Sequence, residues 1–192
     1  RVLARDPARP GVLADPAHSC FVSGQAAFSD MFLVEVNRGC PYGCRFCAAG
    51  YVYRPVRQAD LAGLQALIEE VGPRKVGLVG TALTDWPDLL PFLTWLRGRG
   101  TKFSLASVRA DGLTPELMGI LRAAGLRTLA LALEAPSERL RRAANKHLAV
   151  EDLERAVALA GKFGVNHLKF YLIVGWPGEI PEDYVELGPL LT

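Results

Sequence analysis

Apolar and polar positions alternate between two rhythms along this chain. Short apolar runs read as strands, and segments with apolar residues three and four apart read as helices. Met31–Val36 (MFLVEV) predicts a first strand, Lys75–Gly80 (KVGLVG) a second, Lys102–Ser107 a third, Thr128–Leu133 (TLALAL) a fourth and His167–Val174 a fifth. Between them the helical spacing returns. Asp60–Val71 carries Leu61, Leu64, Leu67 and Ile68 on one face and is closed by Gly72-Pro73. The next helix runs to about Arg97, with Thr84 or Asp85 as its expected cap and Pro87 in its first turn. Thr114-Pro115-Glu116 opens a helix that ends near Gly125. Ser137 starts a short one to about Ala144, Asp152–Phe163 forms a longer one, and Pro181–Leu191 begins a last.

Strand followed by helix, repeated five times, predicts an α/β fold with parallel strands and helices outside them. Runs such as KVGLVG and TLALAL suit strands buried on both faces. Right-handed crossovers would curl such units into part of a barrel, and a doubly wound open sheet is the competing arrangement. The first residues are rich in Pro, Ala and Arg. Pro7, Pro10 and Pro16 with Gly11 predict a linker or edge segment over 1–29, ahead of a core over 30–192. The chain opens without methionine and stops inside a helical pattern, so a piece of a longer polypeptide is expected.

Composition narrows the class. The chain has 192 residues, half of them apolar, with 22 basic and 20 acidic side chains. That is one ordinary domain with enough apolar residues for a core. A net charge of +2 does not by itself predict nucleic acid. No apolar run approaches the roughly 20 residues of a membrane span. Four cysteines, three of them clustered, fit a reducing, cytoplasmic setting.

The clustered cysteines carry the chemistry. Cys40, Cys44 and Cys47 lie in Arg38-Gly39-Cys40-Pro41-Tyr42-Gly43-Cys44-Arg45-Phe46-Cys47, a C-x-x-x-C-x-x-C spacing at the carboxyl end of the first strand. Three thiolates so close together can face one metal centre and leave a coordination position open. Zinc prefers four ligands, and the nearest other donors, Cys20 and His18, lie about twenty residues upstream with no second knuckle. Disulfides favour an even, dispersed pattern. Cys20 stands outside the motif, and a buried hydrophobic role is its default.

This run resembles the signature of the radical S-adenosylmethionine (radical SAM) superfamily, and Glu35-Val36-Asn37-Arg38-Gly39-Cys40-Pro41 is most similar to members that follow a cobalamin-binding domain. The resemblance implies a six-unit partial barrel like an open TIM barrel, with the sixth unit expected past Thr192. It implies that Cys40, Cys44 and Cys47 hold a [4Fe–4S] cluster whose fourth iron is chelated by S-adenosylmethionine. It implies that Phe46 packs near the adenine. One electron, from a donor such as flavodoxin or ferredoxin, then cleaves the cofactor to methionine and a 5′-deoxyadenosyl radical, for hydrogen abstraction or methyl transfer. A cobalamin domain is expected outside this chain. A tRNA-modifying methylthiotransferase-like enzyme, and an iron–sulfur electron-transfer or scaffold module without radical turnover, are the other readings.

In parallel barrels, reactive groups gather where strands end. After the second strand come Gly80 and Thr81, where the family often has a Gly-Gly-Glu-like turn; the acidic residue is missing, so backbone carbonyls or Thr81 would make the contact. After the third come Ser107 and Arg109, whose fork suits the cofactor carboxylate or a salt bridge. Glu134 closes the fourth strand and suits ribose hydroxyls, an amino group or a buried ion pair. Arg141 and Arg142 offer a further route to the carboxylate. Gly175-Trp176-Pro177-Gly178-Glu179 resembles the family's strand-five turn, which implies close backbone approach to the adenine at Gly175 and packing of Ile173 on the base. Tyr51, Tyr53, Arg54 and Arg57 decorate the loop past the cysteines, facing substrate, another domain or the cluster. The basic run Arg139, Arg141, Arg142, Lys146 and His147 reads as a solvated helix face, with phosphate or RNA as the other possibility.

Overall fold

A computed structural model describes residues 11–191. The elements alternate as β1 (Val12–Leu13), β2 (Phe32–Arg38), α1 (Ala49–Val52), β3 (Arg57–Ala59), α2 (Leu61–Val71), β4 (Lys75–Gly80), α3 (Leu89–Gly98), β5 (Lys102–Leu105), α4 (Pro115–Ala123), β6 (Thr128–Glu134), α5 (Glu138–Ala143), α6 (Val150–Lys162), β7 (His167–Leu172) and α7 (Gly188–Leu191). The chain divides into two compact units. One takes it up to Pro41 together with Ala48–Ala106, and the other takes Tyr42–Cys47 and everything from Ser107 on.

The first unit is built on a sheet in the order β1-β3-β2-β4-β5. β2, β4 and β5 run parallel, so their carboxyl ends share one edge. Phe32, Val34 and Val36 of β2 and Val76 and Leu78 of β4 are buried and form part of the unit's core. α2 forms where Asp60 Oδ2 accepts from the Gly63 amide at 3.0 Å, and it stops where Gly72 turns left-handed at φ 62°. Leu64 and Ile68, one turn apart on its inner face, are buried. Thr84 and Asp85 lie in a 3-10 turn, Leu83–Asp85, and do not cap the next helix; α3 begins at Leu89. Trp86 is buried beyond that turn and donates from Nε1 to the Ala59 carbonyl at 3.3 Å, which draws the chain away from a helical start.

β1 and β3 are additions to the expected strands. Both are too short and too mixed in polarity to show a period. β3 pairs antiparallel with β2, and β1 parallel with β3. The described part of the expected linker lies along β2: the Glu35 amide donates to the Ala17 carbonyl at 2.8 Å and Ser19 to Leu33 at 2.9 Å. Pro7 and Pro10 lie outside the described residues.

The second unit is built on β6 and β7, parallel and in register from Thr128 opposite His167 to Glu134 opposite Leu172. Val108 bridges Leu131 on the other side of β6. β6 alternates: Leu129, Leu131 and Leu133 are buried, while the small residues between them are half-buried. It is therefore not the doubly buried run expected from its composition. The Thr114 hydroxyl caps α4 by accepting from Leu117 at 3.2 Å, and Ser137 caps α5 by accepting from Leu140 at 3.2 Å. Leu153, Ala156 and Ala160 line the buried face of α6. The last expected helix opens instead as a 3-10 segment, Pro181–Leu187.

One buried amide ties β2 to the turn after β4. Asn37 is buried; its Nδ2 donates to the Ala82 carbonyl and its Oδ1 accepts from the Ala82 amide at 3.3 Å. A Cβ at Gly80 would collide with that same Oδ1, so glycine is needed there to make room. Asn37→Ala strands a buried donor and acceptor, and we expect a loss of about 2 kcal/mol, read as a lower urea midpoint at unchanged m.

Candidate functional site

The segment between β2 and α1 has no ladder of its own, yet its backbone is pinned from several sides. In the first unit, Gly39 sits at φ 89°, with Tyr53 O only 2.5 Å from where a Cβ would stand. Any other residue there meets backbone. The Thr81 hydroxyl donates to the Gly39 carbonyl, and Arg54 Nη2 donates to the Pro41 carbonyl at 3.0 Å. Thr81 and Gly80, expected near the cofactor, thus stand at the turn that supports the residue before Cys40. The Arg38 guanidinium, at the end of β2, is held by both carboxylate oxygens of Glu35, with Nε donating at 2.7 Å.

In the second unit, the stretch Tyr42–Cys47 rests on the far end of α5. Asn145 Nδ2 donates to the Gly43 carbonyl at 2.7 Å. The Arg45 amide donates to the Ala144 carbonyl at 2.9 Å, and its guanidinium reaches the Ala143 carbonyl. Asn145 is left-handed at φ 55°, a conformation that asparagine tolerates better than most residues. The Cys47 amide donates to the Cys44 carbonyl at 3.1 Å. Cys44 is buried, Cys40 and Cys47 are half-buried, and none of the four cysteines forms a disulfide. Cys20 is exposed, which corrects the buried role expected for it. Its neighbours Phe21 and Val22 are exposed as well, so this stretch supplies no core for it to enter. Among the described residues, no three His, Cys, Asp or Glu side chains are gathered into a metal-holding group.

Several expected residues do meet in this unit. Phe46 stands edge-on to Trp176 with centroids 5.6 Å apart, so the cysteine loop and the turn after β7 come together. Glu134 ends β6 at φ 69°, and its carbonyl accepts from the Ile173 amide at 2.7 Å. Lys146 Nζ lies 3.6 Å from Glu134 Oε1 and 6.0 Å from the centroid of Phe46. The fork of Arg109 grips Asp111, with Nε–Oδ1 at 3.0 Å and Nη2–Oδ2 at 2.6 Å, and its guanidinium lies 3.9 Å over the Tyr42 ring. Ser107 is exposed just ahead of the bridging Val108, and Ile173 and Gly175 are exposed past the end of β7.

The basic run is not a uniform solvated face. The side chains of Arg141 and Lys146 are only 1% and 4% exposed, while Arg139, Arg142 and His147 are exposed. Arg141 is drawn inside by carbonyls: Nε donates to Leu148 at 2.9 Å, and Nη1 reaches Pro136 at 3.2 Å and Ala135 at 3.3 Å. Burial pushes the Lys146 ammonium below the ordinary lysine range, and Glu134 pulls part of the way back. For Arg109 burial acts downward too, but Asp111 outweighs it and the guanidinium sits above its usual value. Sequence reasoning passed over Asn145, and it read Lys146 and Trp176 only as parts of a basic run and a turn. The asparagine ahead of a lysine at a helix end was the available signal for the first two.

Glu179 locks the turn after β7. Its Oε2 accepts from the Gly175 and Trp176 amides, both at 3.1 Å, and its Oε1 accepts from the Tyr184 hydroxyl at 2.9 Å. Gly175 and Gly178 take φ of 84° and 73° there.

Comparison with known proteins matches residues 34–188 to the Radical SAM superfamily. An uncharacterized protein of Methanocaldococcus jannaschii, MJ0966, is 40% identical over 170 residues, covering 86% of this chain and 37% of that protein. A probable dual-specificity RNA methyltransferase, RlmN of Gemmatimonas aurantiaca, is 25% identical over 170 residues, covering 83% of this chain and 47% of its own. The structure of a radical S-adenosylmethionine methyltransferase, TsrM from Kitasatospora setae, with cobalamin and a [4Fe–4S] cluster bound, superposes with a TM-score of 0.63 at 19% identity. That alignment covers 79% of this chain and 32% of TsrM. The chain thus spans less than half the length of the curated relatives it matches.

Asn145→Ala removes the prop under Gly43 and its tolerance of the left-handed backbone. Amide exchange over Cys44–Cys47 should quicken roughly tenfold, the factor that about 1.4 kcal/mol of lost protection gives, while β6 stays protected. Glu179 answers to acid. Its carboxyl is held below the ordinary range, first by the Trp176 amide, against a smaller opposing cost of burial, and then by Tyr184 and Gly175. Its contribution is complete above the ordinary glutamate pKa and is lost as pH falls through the lower folded value. Carbon-13 NMR of the carboxyl should show that low midpoint, and Glu179→Gln should abolish this part of the acid dependence.

Proposed function

This chain belongs to the radical SAM superfamily, and we propose that it is the cofactor-cleaving core of a cobalamin-associated member that transfers methyl groups or abstracts hydrogen. Cys40, Cys44 and Cys47 would hold the [4Fe–4S] cluster. The donor set suits that group: three thiols within eight residues, on a loop that leaves the carboxyl end of a parallel strand. This spacing, inside a stretch that matches the family, is the observation that carries the reading. The cluster and S-adenosylmethionine, once bound, would supply one-electron cleavage of a carbon–sulfur bond; the protein would supply geometry, potential and exclusion of water.

The residues of this chain divide that work. Phe46, Ile173 and Gly175 would offer an apolar rim and an open backbone for the base. Glu134, at the end of β6, would take ribose hydroxyls or the amino group. Gly80 and Thr81 would face the amino group through backbone carbonyls, since the Thr81 hydroxyl already serves Gly39. Arg109 and Ser107 would lie toward the cofactor carboxylate, Arg109 with part of its fork already committed to Asp111. The relation to TsrM, a cobalamin-binding methyltransferase, favours methyl transfer with a cobalamin domain elsewhere in the protein. The relation to RlmN favours a second reading, an RNA-modifying enzyme. Among the described residues no helix is long and apolar enough to cross a membrane.

Full-length protein reconstituted with iron and sulfide under argon should bind about four irons and, with strong reductant, consume S-adenosylmethionine. Cys40→Ala, Cys44→Ala and Cys47→Ala should each abolish cluster assembly or cofactor consumption, while Cys20→Ala should leave both intact. Undiminished consumption by the Cys44→Ala protein would sink the proposal. An RNA product would select the second reading.

A further inference from the structure

A half-buried arginine and a buried lysine face the aromatic residues on either side of Cys44 in the second unit. Tyr42 stands two residues before it and Phe46 two residues after. The Arg109 guanidinium covers the first ring at 3.9 Å, and the Lys146 ammonium faces the second at 6.0 Å, the outer reach of a useful cation–π contact. Neither cation is a mobile surface charge: the Arg109 side chain is 12% exposed and that of Lys146 is 4%. Each is fixed by one carboxylate, Asp111 for the arginine and Glu134 for the lysine. The two are also joined, because Arg109 Nη2 donates to the carbonyl of His147 at 3.0 Å, next to Lys146 along the chain. The Lys146 amide in turn donates to the Arg141 carbonyl at 2.8 Å, so both cations stand on the braced end of α5.

Each cation faces a ring that stands two residues from Cys44, so both lie beside the segment that carries this sulfur. A solvated basic patch would be screened by water, but here each cation offsets a carboxylate with little exposure, and the charge balance beside Cys44 acts through a poorer dielectric. A thiolate-bound cluster gains negative charge when reduced, and fixed positive charge beside its ligands favours the added electron. We infer that Arg109 and Lys146 are positioning residues for the Cys44 segment, which hold it through its two flanking aromatics and raise the reduction potential of the metal cluster there. This rests on the cluster reading above, and it adds which side chains tune that cluster.

The test is a potentiometric titration of the reconstituted full-length protein, followed by electron paramagnetic resonance, with iron and sulfide counted for every variant. Lys146→Met should lower the midpoint so that the reduced fraction at a fixed potential falls roughly tenfold, about 59 mV for a one-electron couple. Lys146→Arg should restore it. Arg109→Gln should act in the same direction and is an independent measurement, whereas Arg109→Lys should keep the midpoint and load less iron, because it retains charge but loses the planar stack on Tyr42. Iron-loaded Lys146→Met and Arg109→Gln proteins with the parent midpoint would overturn the inference and leave the cluster reading standing. In Lys146→Met and Arg109→Gln, the two variants that remove charge, reduced iron content with no change in midpoint would do the same, since it marks a purely structural prop. A parent protein that takes up no iron and sulfide would overturn the cluster reading and this inference with it.

Discussion

A loop that presents thiols must leave their sulfurs accessible and still hold still. Here the second requirement is met through the backbone oxygens. The carbonyls of Gly39, Pro41 and Gly43 accept from Thr81, Arg54 and Asn145, one alternate residue after another. Each bond is modest, about 1 kcal/mol for a neutral donor and about 2 for a guanidinium. Their value lies in where they act. They occupy oxygens that a strand would otherwise satisfy, and they do so without using the cysteine side chains. Gly39 is the condition for the first of them, since its left-handed backbone lies against Tyr53 O.

Much of this was legible in the sequence because it is local. Asp60, Thr114 and Ser137 mark helix starts by bonding to amides three residues on, and glycines mark helix ends by turning left-handed. All five expected strands form, since each carries its apolar period within a few residues. What escaped depends on partners far away in the chain. β3 has no period and is a strand because β2 pairs with it. Thr84 and Asp85 look like caps, but burial of Trp86 sets that turn. Arg141 and Lys146 sit in a basic run that any helical reading would place in water; backbone carbonyls draw the first inside and a carboxylate accompanies the second. The cysteine spacing was plain in the sequence. Its support by Asn145, about a hundred residues later, was not.

The departure from the family's Gly-Gly-Glu-like turn has a physical counterpart. Where an acidic side chain would stand, Thr81 directs its hydroxyl to the cysteine loop, and Gly80 yields space to the buried amide of Asn37. The last residue of β4 and the first after it are thus already engaged in shaping the loop.

Glu134 combines a carboxylate with a backbone that glycine would occupy at less cost. Glycine would relieve that backbone, but it would also take away the carboxylate that stands 3.6 Å from the buried Lys146 ammonium. Stranding a cation with so little access to water costs more than the strained dihedral returns, so the awkward backbone persists because the charge it carries is needed where it stands.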